Sequence, residues 1–96
     1  MYFLHLSLTE KFGSVEPYRD AHVEWVKKYV DQGVFLLASA KVNGLGGMIM
    51  SKGVDKKELR SIISEDPYFA NDLVEYQIID VDVRMVQPEL KLLESV

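Results

Sequence analysis

Hydrophobic and polar positions repeat with two different periods along these 96 residues, and the switches between periods mark the elements. From Tyr2 to Leu8 the period is two. Tyr2, Leu4, Leu6 and Leu8 point one way and Phe3, His5 and Ser7 the other, which predicts a strand. Thr9 to Glu16 is polar, holds Gly13 and predicts a loop. From Pro17 the period lengthens. Tyr18, His22, Trp25 and Tyr29 recur at steps of four, three and four, which is one face of a helix. Ala21, Val26 and Val30 widen that stripe, while Arg19, Asp20, Glu24, Lys27, Lys28 and Asp31 lie mostly outside it. Pro17 suits the first turn, where its missing N–H is not needed, and Gly33 suits the position just past the end.

Val34 to Ala40 predicts a second strand, apolar on both faces, and Gly47 to Ser51 a third. Asn43-Gly44 between them is a turn signal, so the two form a hairpin. Asp55 and Glu58 have capping-box spacing and open a second helix, with Leu59, Ile62 and Ile63 as its apolar stripe. Pro67 breaks that helix, and Asp66 is placed to cap a short turn or helix after it. Val74 to Val86 alternates as a long last strand, and Glu89 to Val96 is a tail with a weak helical pattern. The order is β-α-β-β-α-β, an α+β fold with an antiparallel sheet and both helices on one face. Whichever face of the second strand meets the helices, either Val34, Leu36 and Ala38 or Phe35 and Leu37 remain on the other. Met48 and Met50 oppose Ile49, and Tyr76 and Ile78 oppose Ile79, Val81 and Val83. A sheet apolar on both faces implies a second sheet laid on it, supplied most simply by a second copy of the chain.

The length fits one domain over residues 1–96, with a core over 1–86 and a short tail over 87–96. The formal net charge of −4 and scattered lysines and arginines argue against a nucleic-acid footprint. No apolar run approaches a membrane span, and MYFLHLSL lacks the basic start of a signal peptide, so a cytoplasmic protein with no membrane partner is expected. Two histidines without cysteine give no metal-ligand spacing, and the cluster Gly44, Gly46 and Gly47 lies between strands, where it forms turns rather than a phosphate cradle.

His22 is the first chemical candidate, because it stands inside an aromatic, inward-looking stripe. Imidazole can take and give a proton near neutral pH, and a carboxylate beside it would fix its tautomer. The plainer reading is a core-edge histidine bonded to a backbone carbonyl. Asp66 is the candidate carboxylate, if the second helix packs beside the first; it can equally serve as a cap. His5 reads better as an interface or polar core residue than as a proton carrier. Ser39 is a candidate hydrogen-bond donor to a ligand oxygen, with no adjacent base to make it a nucleophile. Of the aromatic set Tyr18, Trp25, Tyr29, Tyr68 and Phe69, any that line a cavity suit a planar or ring-shaped organic molecule.

Several segments resemble the YciI-like (YCII-related) family over about Met1 to Val86. They are the helix-borne His22 followed by Gly33-Val34-Phe35-Leu36-Leu37, then Gly46-Gly47-Met48-Ile49-Met50, then Glu65-Asp66-Pro67-Tyr68. The resemblance implies a ferredoxin-like fold that pairs as a dimeric α/β barrel, with a pocket between helices and sheet. It implies an acid–base pair at the positions of His22 and Asp66. One class of members eliminates hydrogen chloride from a chlorinated muconolactone. After the second strand the family often carries Gly-Pro where this chain has Ser39-Ala40, which alters the pocket mouth. The expected function is therefore cofactor-independent elimination or isomerisation of a small organic acid or lactone by a homodimer. His22 and Asp66 are the catalytic candidates, and Tyr18, Ser39 and Tyr68 the substrate-binding ones. The alternative is a non-catalytic module on the same barrel that binds a small molecule or a protein.

Overall fold

A computed structural model describes residues 1–9 and 15–94, so most of the expected loop after the first strand (10–14) and the last two residues of the tail lie outside the described residues. The elements are β1 (Tyr2–Leu8), α1 (Arg19–Asp31), β2 (Phe35–Ala40), β3 (Gly46–Ser51), α2 (Lys56–Ser64), a one-turn α3 (Pro67–Ala70) and β4 (Val74–Asp80). A 3-10 turn at Glu16–Tyr18 holds Pro17 and runs straight into α1, and a second 3-10 segment spans Pro88–Leu93 in the tail. The four strands form one sheet in the order β2-β3-β1-β4, and every neighbouring pair is antiparallel. This is the ferredoxin-like α+β arrangement.

The core lies between the helices and one sheet face. Leu4 and Leu6 of β1, Phe35 of β2 and Ile49 of β3 meet Trp25 and Tyr29 of α1 and Leu59, Ile62 and Ile63 of α2. The stripe on α1 is narrower than its sequence suggests. Trp25 and Tyr29 are buried and His22 and Val26 half-buried, but Ala21 and Val30 are exposed. Gly33 closes α1 as expected. Its N–H donates to Val30 O and that of Val34 to Tyr29 O, the paired bonds of a Schellman ending. Asp55 caps α2 by accepting from the Glu58 N–H at 2.8 Å.

Two strand expectations need correction. The last strand ends at Asp80, not Val86. Asp80 pairs with Tyr2, the first residue of β1, and the residues beyond it have no strand beside them. Alternation continues through Val83, but a strand needs a ladder as well as a pattern. On β2, Phe35 and Leu37 do not share a face. Phe35 opposes Ser51 and Leu37 opposes Met50, so Leu36 is an extra residue, a β-bulge. Phe35 is consequently 1% exposed and Leu37 48% exposed.

The sheet face away from the helices carries Phe3, Leu37, Met48, Met50 and Ile79, brought side by side by the strand register. His5 lies among them, its Nδ1 3.0 Å from Gln77 Oε1. No helix among the described residues is long and apolar enough to cross a membrane.

The β2–β3 turn is closed by Lys41 N–H donating to Gly46 O and Gly44 N–H to Lys41 O, and the Asn43 side chain accepts from the Leu45 N–H. Gly44 (φ +77°) faces open space, whereas a Cβ on Gly46 (φ +133°) would lie 2.0 Å from Leu6 O. Gly44→Ala should therefore cost only about 1–2 kcal/mol of backbone strain. Gly46→Ala should cost clearly more, because the β1–β3 pairing must part. Urea denaturation of both variants checks the order, and equal losses would contradict it.

Candidate active site

The site starts with a local break in the chain. Pro67 keeps the residue before it out of the helical region, and Asp66 is extended (φ −67°, ψ 120°) between α2 and α3. Its carboxylate caps α3, Oδ1 accepting from the Tyr68 N–H at 3.0 Å. Asp66 is also fully buried, so its remaining acceptor capacity must be met by the protein. His22 Nδ1 lies 2.6 Å from the same Oδ1, and the Tyr76 hydroxyl donates to Oδ2 at 2.6 Å.

A carboxylate only accepts, so Nδ1 is the ring nitrogen of His22 that carries hydrogen toward Asp66. Nε2 is left for whatever lies on the other side of the ring. Tyr68 stacks flat on the imidazole, with ring centroids 4.0 Å apart and planes within 5°. Burial, then the Asp66 charge and hydrogen bond, push the Tyr76 hydroxyl far above its usual range, so it remains a donor. Burial also raises Tyr68, against the nearby Arg19 cation, which favours its ionised form.

The stripe on α1 holds this corner at two further points. Trp25 Nε1 donates to Ile62 O at 3.0 Å, and the Tyr29 hydroxyl donates to Glu65 Oε1 at 2.6 Å. Residues 22, 25 and 29 thus reach the end of α2 and the two residues after it from successive turns of one helix face. The Tyr29 hydrogen bond holds Glu65 below the usual carboxylate range, while burial and the same bond raise Tyr29. Lys28 Nζ reaches Glu65 at 3.3 Å, and that bond raises the lysine.

His22 and Tyr68 line a cavity of about 320 Å³ between α1, the sheet and the β2–β3 turn. Its wall is mostly apolar, from Leu6, Val26, Ala38, Ile49 and Val74 among others, with Arg19 as the one permanently charged side chain among the described residues. Of the residues expected at a substrate, Tyr68 and Ser39 line the cavity. The Ser39 hydroxyl is engaged elsewhere, donating to Met48 O at 3.0 Å on the face away from the helices. Tyr18 is not in the wall; it is the half-buried residue just before α1. The sequence reading missed Tyr76 and Arg19. A tyrosine on the buried side of a strand needs a partner for its hydroxyl. Arg19 is three residues from His22 on one helix, hence its neighbour. Both signals were present but did not name the partner. Among the described residues, no group of three His, Cys, Asp or Glu could hold a metal ion.

A ferredoxin-like α+β unit with a histidine–carboxylate pair beside an apolar cavity is the class of protein these features define. The YCII-related domain matches residues 1–82, and the chain belongs to that family. Comparison with curated proteins and with solved structures gave no match.

Tyr76 gives a pH-dependent expectation. Its proton is held more tightly in the folded chain than in the unfolded one, whose hydroxyl titrates near 10.0. This share of the stability is complete below about pH 10 and declines progressively as pH rises above it. Tyr76→Phe should cost about 1–2 kcal/mol at neutral pH by leaving Asp66 Oδ2 without its donor. It should also flatten, without abolishing, the fall in stability above pH ~10, since Tyr29 and Tyr68 are raised as well. Denaturation midpoints between pH 8 and 11 in roughly half-unit steps decide this; parallel curves for both proteins would contradict it.

Proposed function

We propose that this protein catalyses cofactor-independent acid–base chemistry, an elimination or isomerisation, on a small organic acid or lactone, with His22 as the base and Asp66 orienting it. One observation carries the reading: a histidine fixed through Nδ1 by a fully buried carboxylate lines a small, largely apolar cavity. Nε2 takes a proton from a carbon next to a carbonyl group. The C–H pair becomes a double bond. In an elimination the leaving group departs with its bonding pair, and the imidazolium then gives its proton to water. In an isomerisation the proton returns to a different carbon. The Asp66 charge stabilises the imidazolium formed between the two steps. Tyr68, stacked on the ring, keeps water from one face of it.

The second reading, a binding module without turnover, draws on the same cavity and on the engagement of the Ser39 hydroxyl with Met48, which leaves one candidate polar group fewer for chemistry. The two separate by experiment. Small carboxylic acids and lactones incubated with the protein in D2O should exchange a carbon-bound proton or lose a leaving group. His22→Gln should slow this roughly a hundredfold or more. Binding without exchange, or equal rates in wild type and His22→Gln, would give the lead to the second reading.

We also propose that the working form is a homodimer joined through the sheet face that the helices leave open. Leu37, Met48 and Ile79 are 48%, 39% and 47% exposed on that face, more apolar area than a solitary sheet leaves to water. Sedimentation equilibrium at micromolar concentration should give a dimer, and Met48→Glu should shift it to monomer; a stable wild-type monomer would overturn the proposal.

A further inference from the structure

The cavity beside His22 has an uneven distribution of charge. Among the described residues its wall contains one permanent cation, Arg19, and no carboxylate, since Asp66 lies behind the imidazole. The chain as a whole has a formal net charge of −4, so nothing in its overall balance favours an anion; any attraction must be local. Arg19 is the first residue of α1, where the helix dipole disfavours a cation, so helix stability does not explain its place. Three residues before His22, it emerges from the same face within about 5–6 Å of it at Cβ. The guanidinium is also close enough to Tyr68 to act on its hydroxyl. Arg19, Tyr68 and His22 therefore form one polar strip in an otherwise apolar wall.

The present partner of Arg19 is easily exchanged. Its Nη2 lies 2.8 Å from Glu16 Oε2, with side chains 59% and 69% exposed. Exposed pairs of this kind are weak. A ligand carboxylate in the cavity would meet the same guanidinium with less water around it, and a planar carboxylate matches the guanidinium fork at two points. A cavity of about 320 Å³ is at the low end for ligand sites and holds about a single ring.

We propose that Arg19 is the anion-recognition residue of this cavity, that it selects small, singly charged carboxylates with an apolar body, and that Glu16 is the internal anion such a ligand displaces. With Arg19 the one permanent cation among the described wall residues, a second carboxylate of a dianion is left unpaired against apolar side chains, which is why the selection is for a single charge. The inference rests on reading the cavity as a ligand site, but it does not require turnover.

The test is binding, followed by the His22 and Tyr68 ring resonances, with benzoate as probe and benzamide as its uncharged counterpart. Arg19→Met should weaken benzoate roughly tenfold or more and leave benzamide unchanged, with Arg19→Lys in between. Glu16→Gln should strengthen benzoate about two- to fivefold by removing the competitor. Both side chains are on the surface, so the fold survives these changes, which backbone amide spectra confirm. The proposal fails if benzoate does not bind at millimolar concentration, if benzamide binds as well, or if Arg19→Met binds benzoate like the wild type. It fails in its second half if Glu16→Gln is without effect. Arg19-dependent binding without His22-dependent exchange would keep this inference and overturn the acid–base reading; exchange without Arg19-dependent binding would do the reverse.

Discussion

Asp66 is fully buried, and a carboxylate cut off from water must find its hydrogen bonds within the chain. Its donors are the imidazole of His22 on α1, the backbone of Tyr68 on α3 and the hydroxyl of Tyr76 on β4. Three elements, one of them 44 positions away, are thereby tied to one side chain, and none can drift without leaving a buried polar group unpaired. The aromatic stripe of α1 follows from the same requirement. For His22 to reach Asp66, α1 must lie against the end of α2, and Trp25 and Tyr29 fasten it there through Ile62 and Glu65. Packing and site geometry are here the same set of contacts. The imidazole is presented to the cavity by the core itself rather than by a loop.

What could be read in the sequence was mostly local. The α1 stripe, the Gly33 ending, the Asp55 cap and the extended Asp66 before Pro67 all depend on residues within a few positions of one another. The proximity of His22 and Asp66 was a non-local expectation, suggested by a family pattern, and it joins residues 44 positions apart. The errors were of the opposite kind. The last strand looked long because Val81 and Val83 continue an alternation, yet strand length is decided by the neighbour, and pairing stops at Tyr2. The β2 bulge left no trace in VFLLASA, since a run apolar on both faces shows no change of parity when one residue is inserted. Tyr76 read as one more apolar position on a strand; that its hydroxyl reaches Asp66 depends on how β4 lies beside the α2–α3 corner.

The two faces of the sheet have different tasks. The helix side is filled by large side chains except where glycines at the β2–β3 turn and the short Ala38 leave the cavity beside His22. The other side keeps Phe3, Leu37, Met48, Met50 and Ile79 in a contiguous group around His5 and Gln77. β1 is common to both, since Leu4 and Leu6 face the helices and Phe3 and His5 face away. A change of twist in the central strand would therefore be felt on both sides, which couples the shape of the cavity to whatever rests on the open face.

The extra residue at Leu36 also bears on how this chain can vary over evolutionary time. Removing Leu36 would leave Phe35 opposite Ser51 and Leu37 opposite Met50 in a regular ladder, with positions 37 to 40 facing as they do now. Removing a residue inside the paired run 37–40 would instead carry the positions after it to the other face, because side chains alternate with period two. A length change in the turn at 41–45 has no such effect, because no ladder runs through it. Descendants of this sequence can gain or lose residues in the hairpin tip, or lose the bulged residue, and keep the same faces, whereas a length change inside the paired run must be compensated within the same strand. Gaps in alignments of related chains belong at the tip or at 36, and a gap between 37 and 40 marks a protein whose cavity wall is built from different residues.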